Sequence, residues 1–185
     1  MNTNPYLFLV LFVSFLSAPV LAEGSAGTYP LLGVEDGDTL LLNIEGESVR
    51  VQLLGIDAPE DEDNPKFTLD LENTKMAYDE LKQLGAASTA HLKSLVMVGE
   101  NVSIQGSLRE IDRYGRIPAV VNNAAGRPLP EAMVRDGYAI ALQATKQDYS
   151  YNRRLDRLER FSRKSNNGLW GSHTESFRKW YDRTR

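Results

Sequence analysis

Three short segments hold the side chains best able to do chemistry: Asp36-Gly37-Asp38-Thr39, Asp57-Ala58-Pro59-Glu60 and Asp112-Arg113-Tyr114-Gly115-Arg116. Each alone suits an ordinary turn, because Asp-Gly and Tyr-Gly-Arg favour hairpin ends and Ala-Pro-Glu opens loops. Their placement is more telling. The first precedes an aliphatic run at 39–44 and the second follows another at 49–56, with Glu45-Gly46-Glu47-Ser48 between the runs as a hairpin turn. Antiparallel strands reverse direction, so the start of one strand and the end of its partner lie at the same end of the unit. Asp38 and Asp57 therefore come within reach of one hard cation, with the Ala58 carbonyl as a third oxygen. Calcium accepts such mixed oxygen ligation, whereas magnesium demands a tighter octahedron.

The composition narrows the alternatives. The 185 residues hold 21 bases and 25 acids, a formal charge of −4, no cysteine and two histidines. Thiol nucleophiles, disulfide frameworks and zinc sites built on cysteine are excluded. His91 and His173 stand far apart in unrelated contexts, so a paired-histidine metal site is excluded too. Catalysis must rest on carboxylates, arginine, lysine, hydroxyls or an oxygen-ligated metal. Charge is unevenly spread: residues 57–85 carry nine acids and three bases, net −6, and residues 146–185 carry eleven bases and five acids, net +6. The basic end reads as a solvated helix face or as a surface for a polyanion.

The elements that must position these segments follow from periodicity. Strands are expected at 39–44, 49–56, 101–106, 117–121 and 138–142. Helices are expected at 86–97, at 130–136 between Pro130 and Gly137, and at about 150–164. The polar, acid-rich stretch 61–85 reads as a long loop, with a short helix near 75–82. Five strands, mostly antiparallel, with about three helices make an α+β pattern compatible with a small Greek-key barrel.

The first 22 residues carry no charged side chain, and 6–22 is nearly continuous apolar sequence. This predicts a signal peptide cleaved after Ala22, leaving a mature chain of 185 − 22 = 163 residues. A linker is expected at 23–28, one domain at 29–171 and a basic C-terminal tail at 172–185. The protein is expected to be exported, to periplasm or external medium, with no stable membrane association after cleavage.

Five segments occur in an order and spacing that resemble the staphylococcal nuclease-like, or thermonuclease, family: VEDGDTLLL at 34–42, LLGIDAPE at 53–60, DRYGR at 112–116, EAMVRDGYA at 131–139 and NGLW at 167–170. The resemblance covers about residues 29–171. It implies an OB-fold barrel with helices and calcium-dependent hydrolysis of DNA or RNA. By the same resemblance, Asp38 and Asp57 are the calcium carboxylates and Ala58 lends its carbonyl. Glu60 activates the attacking water, Arg116 stabilises the scissile phosphate and its leaving group, and Arg113 and Tyr114 hold a terminal phosphate. Phosphodiester hydrolysis independently needs a proton acceptor beside water and fixed positive charge where the phosphoryl oxygens gain charge.

The departures also matter. Where the family places a second phosphate-binding arginine, five residues before the aspartate of the DAPE segment, this chain has Gln52, which lacks the charge and the two-pronged fork. Arg50 lies two positions earlier on the same strand face. The family's two nucleotide-stacking tyrosines correspond to Gln143 and Thr145, and Asp61-Glu62-Asp63 adds acid beside a site for polyanions. Two functions remain open: a calcium-dependent nuclease, slowed by Gln52, or a non-catalytic barrel binding nucleic acid or protein.

Overall fold

Alternation decides the heart of the molecule. In the second and third strands Leu40, Leu42, Val51 and Leu53 point inward with no exposure, and Arg50 and Gln52 face the other way. In a computed structural model describing residues 25–142 and 149–184, the chain runs through β1 (Ser25–Val34), β2 (Thr39–Ile44), β3 (Glu47–Leu53), β4 (Ile56–Asp57), α1 (Pro65–Thr74), α2 (Tyr78–Leu95), β5 (Asn101–Gly106), β6 (Ile117–Asn122), α3 (Leu129–Asp136), β7 (Ile140–Ala141), α4 (Tyr149–Ser165), α5 (Leu169–Ser172) and α6 (Thr174–Thr184). The closed barrel has the order β1-β2-β3-β6-β5, with β3 and β6 parallel and the other neighbours antiparallel. It is the five-stranded OB-type α+β fold expected from sequence, and closure leaves it no free edge.

One strand of the barrel is not the one expected. Residues 138–142 contribute only Ile140 and Ala141, which pair with β4 outside the barrel. Their place is taken by β1, so residues 25–28, expected as linker, belong to a strand. Ser25–Pro30 pair with β5, and Leu31–Val34 pair with β2 after an irregularity at Leu31/Gly33. That irregularity lets one strand serve two neighbours and so close the barrel. Gly27, Pro30 and Gly33 interrupt the alternation by which a strand is usually recognised.

Helices are more numerous than expected, six among the described residues. The stretch 61–85 is not a long loop. Asn64 caps α1 by accepting the Phe67 N–H at 2.8 Å, Pro65 fills the first turn, and the helix ends where Lys75 turns left-handed. The helix expected at 86–97 begins eight residues earlier, at Tyr78. The segment 172–185, expected as a tail, contains the whole of α6, whose Phe177, Trp180 and Tyr181 share one buried face. These three join Phe67, Leu81, Leu84 and Trp170 in a second core beneath α1 and α2. The barrel core itself is sealed by Met133 and Val134 of α3 and Leu155 of α4.

The expected signal peptide, and Gln143 and Thr145, lie outside the described residues. No described helix is long and apolar enough to cross a membrane.

Candidate active site

The turn before β2 and the segment 57–60 meet, although the strand expected over 49–56 is broken: β3 ends at Leu53, and Ile56 and Asp57 form β4 against β7. Asp38 is 1% exposed; its Oδ2 accepts the Ala58 N–H at 3.2 Å and its Oδ1 accepts the Thr39 hydroxyl at 2.9 Å. Asp36 Oδ1 accepts the Asp38 N–H at 2.9 Å, which holds the turn in shape. Helix α2 packs against both segments through two contact points. A Cβ at Gly37 would stand 2.6 Å from Cβ of Ser88, and one at Gly85 would overlap the carbonyl of Glu60. Glycine at 85 therefore lets the helix approach the backbone that presents Glu60.

Arg116 comes to the same place from the β5–β6 connection. Asp112 organises that turn: Oδ1 accepts the N–H groups of Tyr114 (2.8 Å) and Arg116 (2.9 Å), and Oδ2 accepts Arg116 Nε at 2.9 Å. Arg116 Nη1 reaches Thr39 Oγ1 at 3.2 Å and Asp38 Oδ1 at 3.5 Å. The Tyr114 ring lies against the guanidinium groups of Arg113 and Arg116, 4.8 and 5.2 Å from its centre.

A cavity of about 170 Å³ opens between these segments, lined by Asp36, Arg50, Glu60, Asn64, Pro65, Lys66, Tyr114 and Arg116. Gln52 and Arg113 are not among its walls. Gln52 sits in β3 between Thr39 of β2 and Pro118 of β6. Arg50 does reach the cavity, held by a two-pronged pair to Glu35 and a 3.1 Å bond to the Tyr114 carbonyl. Glu60 is 4% exposed, and its Oε2 accepts Asn64 Nδ2 at 2.7 Å.

Negative charge dominates this centre. Burial, then the neighbouring Asp36 and Asp57, hold the Asp38 carboxyl well above the usual carboxylate range. Burial also raises Asp57, against the lowering pull of Lys66, and burial with Glu60 raises Asp36. The counter-charge is Lys66 of α1, whose Nζ lies 3.0 Å from Glu60 Oε1, 3.2 Å from Asp57 Oδ1, 3.2 Å from the Ala58 carbonyl and 3.4 Å from Asp70 Oδ2. Burial pulls that ammonium toward neutrality, and the surrounding carboxylates, Asp57 foremost, more than reverse it, leaving its pKa well above the ordinary lysine value.

Among the described residues no three Asp, Glu, His or Cys side chains converge as a ready chelate. The expected set, Asp38, Asp57 and the Ala58 carbonyl, has two carboxylates and a peptide oxygen. All three donors are hard oxygens, and the buried carboxylates repel one another, so the set fits a hard divalent cation such as calcium. Sequence reasoning missed Lys66, Asn64 and Asp70, because all three lie in the stretch read as a loop. Asn64-Pro65 ahead of Phe67, Asp70, Leu71 and Thr74 was the available signal, a cap followed by helical spacing.

A barrel with this cluster at its rim defines a class, and comparison with known proteins agrees: residues 50–172 match the model of the staphylococcal nuclease homologue family. The chain belongs to that family and is by class a nuclease, a hydrolase of phosphodiester bonds. It is 33% identical over 165 residues to a protein of Escherichia coli described as an uncharacterized endonuclease, covering 89% of this chain and 88% of the relative. It is 25% identical over 171 residues to the thermonuclease of Staphylococcus hyicus, covering 89% and 91%.

Proposed function

We propose that this chain is an exported, calcium-dependent nuclease that cleaves DNA or RNA within the strand, at the cavity shared by Glu60 and Arg116. The supporting observation is that these two side chains line one cavity, whose wall residues touch the expected metal oxygens: Arg116 reaches Asp38 Oδ1 at 3.5 Å, and Lys66 reaches Asp57 Oδ1 and the Ala58 carbonyl, both at 3.2 Å. Glu60, steadied by Asn64, accepts the proton of the attacking water. Arg116, its Nε fixed by Asp112, donates to phosphoryl oxygens as they gain charge. Arg50 supplies a second guanidinium at the cavity wall, which answers the loss of charge at Gln52. Tyr114 forms part of the wall that receives a phosphate, and Arg113 stacks on its ring. Calcium bound by Asp38, Asp57 and the Ala58 carbonyl would polarise the phosphate and orient the nucleophile.

Cleavage within the strand follows the description of the Escherichia coli relative as an endonuclease. Export rests on the uncharged, apolar first 22 residues. A mature protein beginning at Glu23, identified by mass in the periplasm or medium, supports it, and an intact N-terminus retained in the cytoplasm overturns it. Turnover of an end-labelled oligonucleotide, with and without chelator, tests the reaction. Calcium-dependent internal cleavage, lost in Glu60→Gln, is expected. Binding without turnover would instead support a non-catalytic binding module, the reading that Gln52 favours.

A further inference from the structure

The three oxygen-bearing residues assigned to calcium do not line the cavity; Lys66 does. Asp57 is 6% exposed, Ala58 2% and Asp38 1%, so a cation arriving from solvent meets the ammonium before it meets them. That ammonium already holds Asp57 Oδ1 and the Ala58 carbonyl, both at 3.2 Å, two of the three expected metal donors. It also holds Glu60, the expected proton acceptor, at 3.0 Å. An ammonium and a hard metal ion compete for such oxygens, because a lone pair that accepts an N–H cannot at the same time bind a metal. Lys66 carries its charge on a flexible four-carbon stem, and its side chain is 21% exposed, so the ammonium has a route out of the cluster toward solvent. One more partner stays with it on its own helix: Asp70, four residues on, at 3.4 Å and braced by the Trp180 indole N–H at 3.0 Å.

We propose that Lys66 is a tethered cation that occupies the metal-binding oxygens until a divalent ion displaces it, so that metal loading and release of Glu60 are one event. The inference rests on the assignment of Asp38, Asp57 and Ala58 to the metal. In the metal-free protein Lys66 neutralises the carboxylate cluster and keeps it folded, and it ties Glu60 into an ion pair. On loading, Nζ gives up Asp57, Ala58 and Glu60 and keeps Asp70, and Glu60 becomes free to face water. The lysine therefore weakens metal affinity while protecting the empty site, and it confines a competent base to the loaded state.

Calorimetric titration of the protein with calcium, compared between wild type and Lys66→Met, tests this without reference to activity. Methionine keeps the length of the stem and removes the charge. The variant is expected to bind calcium about tenfold or more tightly, since ligand charge tunes calcium affinity over decades, and to be less stable than wild type in chelator. Equal affinities overturn the inference while leaving the metal assignment standing. Failure of both proteins to bind calcium overturns the metal assignment and the inference with it. If Lys66→Met does not fold without metal, the wild type alone decides: the ¹³Cε–¹⁵Nζ signal of Lys66 should shift on calcium saturation, and an unmoved signal overturns the displacement.

Discussion

Trp180 donates its indole N–H to Asp70 Oδ2 at 3.0 Å, linking the last helix to the helix that bears Lys66 across 110 positions of sequence. Asp70 is thereby committed on two sides, to the indole and to the Lys66 ammonium. The C-terminal helix, far from the chemistry in sequence, braces the side chain next to it.

Trp180→Phe should keep most of the aromatic packing and remove that bond. A buried carboxylate oxygen that loses a partner costs about 1–3 kcal/mol. The variant is expected to unfold at lower urea by a corresponding amount. An unchanged midpoint would mean that water replaces the indole without loss.

Gly85→Ala acts from the opposite side of the site. The new methyl group would overlap the Glu60 carbonyl, and overpacking of this kind costs about 1–3 kcal/mol. Because the displaced backbone carries Glu60, turnover should fall more than substrate binding does. A fall in stability with no change in turnover would show that α2 yields instead of the loop.

The carboxylate cluster predicts an unusual pH response in chelator. Asp36, Asp38 and Asp57 titrate above the usual range in the folded protein, chiefly through burial. Between the unfolded and folded values the native state holds protons that the unfolded chain has released, so their contribution to stability falls as pH rises through that window. Asp112 and Asp136, both lowered, act in the opposite sense, losing their contribution as pH falls through their folded values. Asp38→Asn isolates its share: the metal-free variant should be more stable than wild type at neutral pH, with a flatter profile at mildly acidic pH. It and Asp57→Asn should each lose the calcium-dependent rise in melting temperature. Urea unfolding across pH and thermal melts with and without calcium measure both effects.

Arg50 and Gln52 separate the two sources of phosphate charge. Removing one positioned donor from a developing oxyanion costs about a hundredfold to a thousandfold in turnover. Arg50 lines the cavity, so Arg50→Ala should lower turnover by about a hundredfold and Gln52→Arg should add little. A large gain from Gln52→Arg with a small loss from Arg50→Ala would return Arg50 to a structural role, pairing with Glu35.

What could be read from the chain alone was local. The hairpin of β2 and β3 is encoded by alternation and a short turn, but the strand expected over 49–56 stops at Leu53, and Asp57 and the Ala58 N–H reach Asp38 after a turn at 54–55 that leads into β4, paired with β7. The five-stranded barrel and the family were legible for the same reason: their signals are runs and short motifs whose meaning does not depend on distant residues. Tertiary structure decided the rest. Whether residues 25–34 or 138–142 close the barrel depends on which strand finds partners on both sides, and β1 does so only through its irregularity at Leu31/Gly33. Whether the basic C-terminus is a tail or a helix depends on a second core that exists only once α1, α2 and α6 meet. Lys66 looked like one of three bases among nine acids, and its part at the site arises because α1 points it at Asp57, Ala58 and Glu60 at once. Charge can be counted along a sequence, but the energy of a buried ion depends on which oxygens surround it, and only the folded chain supplies those.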